Sequence, residues 1–253
     1  MRIIIFNLLF ILMANFAWAE EQRFRIEGET LFYNTDIVEG DDGEVKHVMP
    51  PESEWPVREM ESIDVDTCIQ NLKESIPLPV IFTVRPTEEG GHYPGDASQR
   101  HEILEKAIAS SVNSVDLELS IEDEVRTGLL DKANTAGVRV ISSIHDTTTT
   151  PSAEELVGMV NEHAKEGEVF KFCGTVNDHQ DALQIVEASY ELKSSKHAFS
   201  MMALGNGGDW ARLHAPVLGQ SLVYATLRSE FKLSNKGLVN IRDLKNAWTL
   251  MEY

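Results

Sequence analysis

Two rhythms of apolar and polar positions run through most of this chain. From about Asp64 onward, short β-branched or apolar runs take turns with longer amphipathic stretches. The short runs Pro79–Val84, Ser114–Leu119, Val138–Ile144, Val169–Cys173, Ala198–Leu204 and Leu222–Leu227 predict strands. The longer stretches Val65–Glu74, Ser98–Ser111, Ile121–Ala136, Ala153–Lys165, Asp178–Lys193 and Ile241–Met251 predict helices, with Asp123, Ser152 and Asp178 where caps are wanted. Strands recur about 25–30 residues apart, one strand–helix unit each, which implies parallel strands with helical crossovers. Six strands are clear, and residues 20–60 could supply two more. That count points to an α/β fold of the (β/α)8 TIM-barrel kind with an atypical N-terminal portion. An open sheet built for a nucleotide would carry a Gly-rich turn after its first strand. Here Gly205-Asn206-Gly207-Gly208 comes late and lacks that spacing.

The N-terminal sixty residues read differently. Arg2 supplies one positive charge, Ile3 to Met13 is apolar except for Asn7, and Ala17-Trp18-Ala19 has the small-x-small form read by signal peptidase. Residues 1–19 are therefore expected to be a signal peptide. The apolar stretch is shorter than the roughly 20 residues that span a bilayer. Residues 20–60 form an atypical acidic segment, in which Phe24 to Tyr33 alternates as a strand or a small hairpin about Gly28. The barrel is expected over residues 61–253.

Composition narrows the function classes. The 253 residues carry 22 Lys+Arg against 41 Asp+Glu, a net charge of −19. Nonspecific nucleic-acid binding, which depends on cations displacing phosphate counterions, is disfavoured. Hydrophobic residues at 42% and charged residues at 25% are ordinary for a globular chain. Two cysteines, Cys68 and Cys173, exclude a disulfide scaffold and a four-Cys zinc site, and two thiols are the simpler expectation than one bridge.

In a barrel, chemistry sits where strands end and the following loops begin. The polar residues at those ends are Arg85 with Glu88-Glu89-Gly90-Gly91, Asp116 and Glu118, Ser142 to Asp146, Lys171, and Gly205 to Arg212. Any one of them alone is more often structural than functional; their recurrence at successive strand ends is the signal. Lys171 stands in Val169-Phe170-Lys171-Phe172-Cys173, a largely apolar strand. If it points into the barrel mouth, burial lowers its pKa, and a neutral amine can condense with a ketone to a Schiff base. The protonated imine acidifies the neighbouring C–H, so a proton carrier is needed. His145, at the end of the preceding strand, is the candidate. Glu89 or Asp146 could hold its tautomer, and Arg212 or Arg85 could fork an anionic substrate.

Five segments carry a family resemblance. Thr83-Val84-Arg85-Pro86-Thr87-Glu88-Glu89-Gly90-Gly91 resembles the TxRxxxEGG strand-loop of type I 3-dehydroquinate dehydratases. Asp116-Leu117-Glu118-Leu119 resembles that family's DxEL strand, and Ser143 to Pro151 its SxHDFxxTP segment. Val169-Phe170-Lys171-Phe172 falls where its Schiff-base lysine falls, and Met202 to Gly219 is similar to its MxxxGxxSR stretch. The five occur in family order from Pro79 to the C-terminus.

The resemblance implies a (β/α)8 barrel that dehydrates 3-dehydroquinate to 3-dehydroshikimate, a lyase step of the shikimate pathway, with no metal and no cofactor. It makes Lys171, His145 and Glu89 the catalytic set: the imine amine, the acid–base, and the carboxylate that orients it. It makes Arg85, Glu118, Arg212 and Ser234 substrate-binding residues, with Arg212 on the carboxylate and Ser234 in a closing loop. The implied partner is a cyclic hydroxy-keto carboxylate, and a homodimer is a candidate assembly. The family is usually cytoplasmic; a used signal peptide would instead make the chain periplasmic or secreted, with no membrane span left.

The chain also departs from the family pattern. Leu238 follows Gly237 where the family has Gln and supplies none of its hydrogen bonds, Thr147 replaces the aromatic of HDF, and Ala211 replaces the Ser before the Arg. The ExRxD strand has only Glu54-Trp55-Pro56-Val57-Arg58 as a loose counterpart. The competing readings are another Lys-imine barrel enzyme such as a class I aldolase, and an exported barrel that binds without catalysis.

Overall fold

The structure is a computed structural model that describes residues 2–5, 24–27, 30–33, 36–39, 45–48, 65–75, 78–91, 93, 95–164, 169–225 and 237–253. Its centre is a parallel sheet of β6 (Ile81–Phe82), β7 (Ser114–Glu118), β8 (Arg139–His145), β9 (Val169–Val176) and β10 (Phe199–Gly205), hydrogen-bonded in that order. Next comes β11 (Leu222–Ala225), tied to β10 where the Ser200 hydroxyl donates to the Leu222 carbonyl at 2.8 Å. Helices α1 (Val65–Ser75), α2 (Ala97–Ala109), α3 (Asp123–Ala136), α4 (Ala153–His163), α5 (His179–Leu192), α6 (Trp210–Leu213) and α7 (Ile241–Leu250) alternate with these strands. The fold is the α/β barrel that the alternation predicts.

Local chemistry sets the helix starts. Ser152 and Glu155 form a reciprocal capping box on α4, and the Asp178 carboxylate accepts from the Gln180 and Asp181 amides on α5. Asp123 does not cap α3: Arg126 N bonds to the Glu122 carbonyl at 2.8 Å, so the helix starts a residue earlier and Asp123 lies in its first turn. The β6 stave is shorter than Pro79–Val84. Pro79 has no amide to donate, and the Val80 amide goes to the Asn113 side chain at 2.8 Å. Four-residue α6 has no periodicity to read in sequence.

Strand parity divides the apolar residues into layers. Val115 and Leu117 of β7, with Phe82 and Val84, pack outward under the first helices; Phe170 and Phe172 of β9, with Met201 and Ala203, do so under α4 and α5. The opposite parity, Ile141, Val169, Met202, Leu222 and Tyr224, fills the barrel interior. Among the described residues, 24–27, 30–33, 36–39 and 45–48 do not join the central sheet. They contribute two antiparallel pairs, β2 (Phe24–Glu27) with β3 (Thr30–Tyr33) and β4 (Asp36–Glu39) with β5 (Val45–Val48), each a separate sheet. The alternation about Gly28 is thus a hairpin. Of the expected signal peptide, Arg2–Ile5 is a strand, β1, parallel to β11, and the remainder lies outside the described residues.

Candidate active site

The inward parity that carries Ile141 and Val169 also carries the polar residues, nearer the C-terminal ends of the strands. Ser143 and His145 follow Ile141 on β8, and Lys171 follows Val169 on β9. Asp116 and Glu118 share one face of β7, and Arg85 follows β6. Register puts Ser143, Lys171 and Ser200 side by side across three strands. Arg85, Glu89, His145, Lys171, Met202, Arg212 and Tyr224 line one cavity of about 170 Å³ at the barrel mouth. The amine and the imidazole face the same space.

A chain of contacts joins them. The Lys171 ammonium donates to Asp116 Oδ2 at 2.9 Å, and Arg85 Nη2 donates to the same oxygen at 2.9 Å. Ser143 donates to the other Asp116 oxygen. Arg85 Nη1 lies 2.9 Å from Glu118 Oε1, 3.1 Å from Ser143 Oγ and 2.9 Å from His145 Nδ1. That nitrogen has two protons, and the two oxygens take them. His145 Nδ1 therefore keeps its own proton and donates it to Glu89 Oε2 at 2.9 Å. This tautomer leaves the Nε2 lone pair as the base.

Electrostatics follow from burial and charge. Burial pushes the Lys171 pKa down more strongly than Asp116 pulls it up, and Arg85 adds to the decrease. His145 sits well below its ordinary value because it is buried and faces two cations, Lys171 and Arg85, so it is neutral at pH 7. Burial alone would raise Asp116; Arg85 and Lys171 outweigh it and hold the carboxylate ionised. Burial raises Glu89, against the hydrogen bond it accepts from Ser120.

Two of the predicted binding residues hold unexpected positions. Glu118 has no exposed surface and does not line the cavity. One of its oxygens takes Arg85 and the other takes Arg100 of α2 at 2.7 Å, so it braces Arg85 from behind. Arg212 does line the cavity, but Nε is given to the Tyr224 carbonyl at 3.0 Å. Its Nη1 lies 2.7, 2.8 and 2.8 Å from the carbonyl oxygens of Ala203, Gly208 and Gly237, which share its two protons. Among the described residues it has no carboxylate in salt-bridge contact, and burial lowers its pKa. Ser234 lies outside the described residues. Leu238 is partly buried and does not line the cavity, whereas Thr147 does.

The loop after β6 explains its glycines. A Cβ on Gly91 would meet the Arg85 carbonyl oxygen at 2.2 Å, so only glycine lets the chain fold back against that residue. The Gly91 amide bonds to the Pro86 carbonyl at 2.9 Å, closing the turn that aims Glu89 at His145. Sequence reasoning set Asp116 and Ser143 among the polar strand-end residues without a specific role, and did not single out Arg100 or Tyr224. The i, i+2 acids of β7 were a usable signal for Asp116, since both must share a face.

Comparison with known proteins agrees with this architecture. Residues 55–253 match the family model for type I 3-dehydroquinase. A protein named 3-dehydroquinate dehydratase from Methanocaldococcus jannaschii is 30% identical over 185 residues, 72% of this chain and 81% of its own. Its namesake from Methanopyrus kandleri is 31% identical over 172 residues, 68% of this chain and 75% of its own. Among solved structures, the Clostridium difficile type I 3-dehydroquinate dehydratase with covalently modified comenic acid superposes with a TM-score of 0.68. It is 23% identical and covers 74% of each chain. The Geobacillus kaustophilus 3-dehydroquinate dehydratase superposes at 0.67, with 20% identity and 74% of each chain.

Proposed function

We propose that this chain, which belongs to the type I 3-dehydroquinase family, works through an imine between Lys171 and its substrate's ketone. Its activity is the dehydration of 3-dehydroquinate to 3-dehydroshikimate, a hydro-lyase step of the shikimate pathway. The observation that carries the mechanism is the buried Lys171 amine, lowered in pKa, lining one cavity with a neutral imidazole.

Neutral Lys171 attacks C3 of the substrate, and the carbinolamine loses water to give a protonated imine. His145 Nε2 removes a proton from C2, and the C–H electrons flow into the iminium as an enamine. The enamine expels the C1 hydroxyl, which takes the proton back from His145 and leaves as water. Hydrolysis of the imine then frees the enone and restores the amine, so the net change is one water lost. Glu89 holds the Nδ1 proton and thereby fixes which nitrogen works. Asp116 balances the charge as ammonium, amine and iminium succeed one another.

The substrate carboxylate is assigned to Arg212, a buried cation with no acidic partner in contact among the described residues. Arg85 stands ready for ring hydroxyls, and Ser234 is carried from the family pattern alone. The direct test is absorbance of the conjugated enone after 3-dehydroquinate is added. A steady rise is expected; a flat trace with folded protein overturns the activity.

Export is a separate proposal. The Arg2 charge, the apolar Ile3 to Met13 run and Ala17-Trp18-Ala19 support a cleaved leader of residues 1–19. The pairing of Arg2–Ile5 with β11 stands against it. No helix among the described residues is long and apolar enough to cross a membrane.

A further inference from the structure

The barrel interior holds a polar atom that the reaction course above does not use. Tyr224 belongs to the inward face of β11, and its ring lies beneath the Lys171 amine, 4.6 Å from nitrogen to centroid. The side chain lines the same cavity as His145 and Arg212. Its hydroxyl is buried and has no hydrogen-bond partner among the described residues. A buried hydroxyl left without a partner is a cost to folding and calls for an explanation, which a cavity beside it supplies if a ligand there pairs with it. The neighbouring interior positions, Ile141, Val169, Met202 and Leu222, are apolar and would accept a phenylalanine ring as readily. Packing alone gives no reason for the oxygen.

We propose that the Tyr224 hydroxyl donates a hydrogen bond to an oxygen substituent of the bound ring, and so selects oxygenated cyclic ketones over deoxygenated ones at Lys171. This rests on the imine reading of the site. Burial, then the nearby Asp116 carboxylate, push the phenol pKa well up, so the group remains a donor at neutral pH. The ring has a second effect, because its face stabilises a cation above it, whether ammonium or iminium. Replacing Tyr224 with Phe keeps that face and removes only the oxygen. Arg212 donates to the Tyr224 carbonyl at 3.0 Å, so the strand that positions the phenol also positions the proposed carboxylate partner.

The test uses the full chain and its Tyr224→Phe variant with two ketones, 3-dehydroquinate and 3-oxocyclohexane-1-carboxylate, which lacks the ring hydroxyls. Borohydride trapping at Lys171, read by mass spectrometry across ketone concentration, gives an apparent affinity for each. Wild type is expected to prefer 3-dehydroquinate, and Tyr224→Phe to lose about tenfold of that preference. Its trapping of the deoxygenated ketone should be unchanged and its thermal midpoint equal or higher. An unchanged preference in Tyr224→Phe overturns the proposal, as does a wild type that traps neither ketone. Failure of the dehydration reading shows separately: wild type would trap 3-dehydroquinate without releasing enone, and the preference ratio would still decide the role of Tyr224.

Discussion

Burial and Asp116 oppose each other in setting how much of Lys171 is neutral. The Asp116 carboxylate favours the ammonium, while burial and Arg85 favour the amine. Asp116→Asn removes the favourable partner and leaves Arg85 less neutralised, so both changes act in one direction. The acid limb of borohydride trapping should move to lower pH by about 1–2 units, and a move to higher pH would contradict this balance. His145→Ala should lower kcat by about 10²–10⁴-fold in the enone assay while the fold persists. His145 also links stability to pH. Its folded pKa lies below the ordinary 6.5, so between the two values the unfolded chain binds a proton that the folded chain does not. That contribution is complete above about pH 6.5 and is lost as pH falls toward the folded value. Thermal midpoints should drop from pH 7 to pH 5, less steeply in His145→Gln than in wild type.

At the scale of elements, strand parity does most of the positioning, and it was legible. Once Val169-Phe170-Lys171-Phe172-Cys173 is read as a stave, Lys171 must oppose Phe170 and Phe172, which pack under the helices. What parity could not give is the partner. Asp116 and Lys171 lie 55 residues apart and meet only across the register of β7, β8 and β9. Nor could it separate an acid that faces a ligand from Glu118, which faces two arginines. The hairpins of residues 24–48 were open to misreading as staves because a period of two is common to both. The loop after β6 gives a sharper check. Gly91→Ala forces a Cβ against the Arg85 carbonyl and should cost about 1–3 kcal/mol in denaturant unfolding, together with roughly tenfold or more in kcat/KM as Glu89 loses its aim. Ser152→Ala breaks a cap remote from the chemistry and should cost about 1 kcal/mol with kcat/KM unchanged.

The whole molecule joins a barrel mouth rich in buried charge to a chain of net charge −19. A negative field of that size disfavours nucleic acid and slows an anionic substrate at a distance, so on the proposed reading Arg212 has to capture the carboxylate at the mouth. Raising salt should therefore quicken association of 3-dehydroquinate modestly, a trend that steady-state kcat/KM can report. The N-terminus meets its own test in intact mass: the export proposal predicts a chain beginning at Glu20, and a chain retaining Met1 contradicts it. The proposed mechanism rests on a covalent bond at one nitrogen. Peptide mass spectrometry of the protein reduced with borohydride in the presence of 3-dehydroquinate should find the reduced ligand on Lys171 alone, and none in Lys171→Ala. Ligand attached at another residue, or turnover continuing in Lys171→Ala, would contradict the imine.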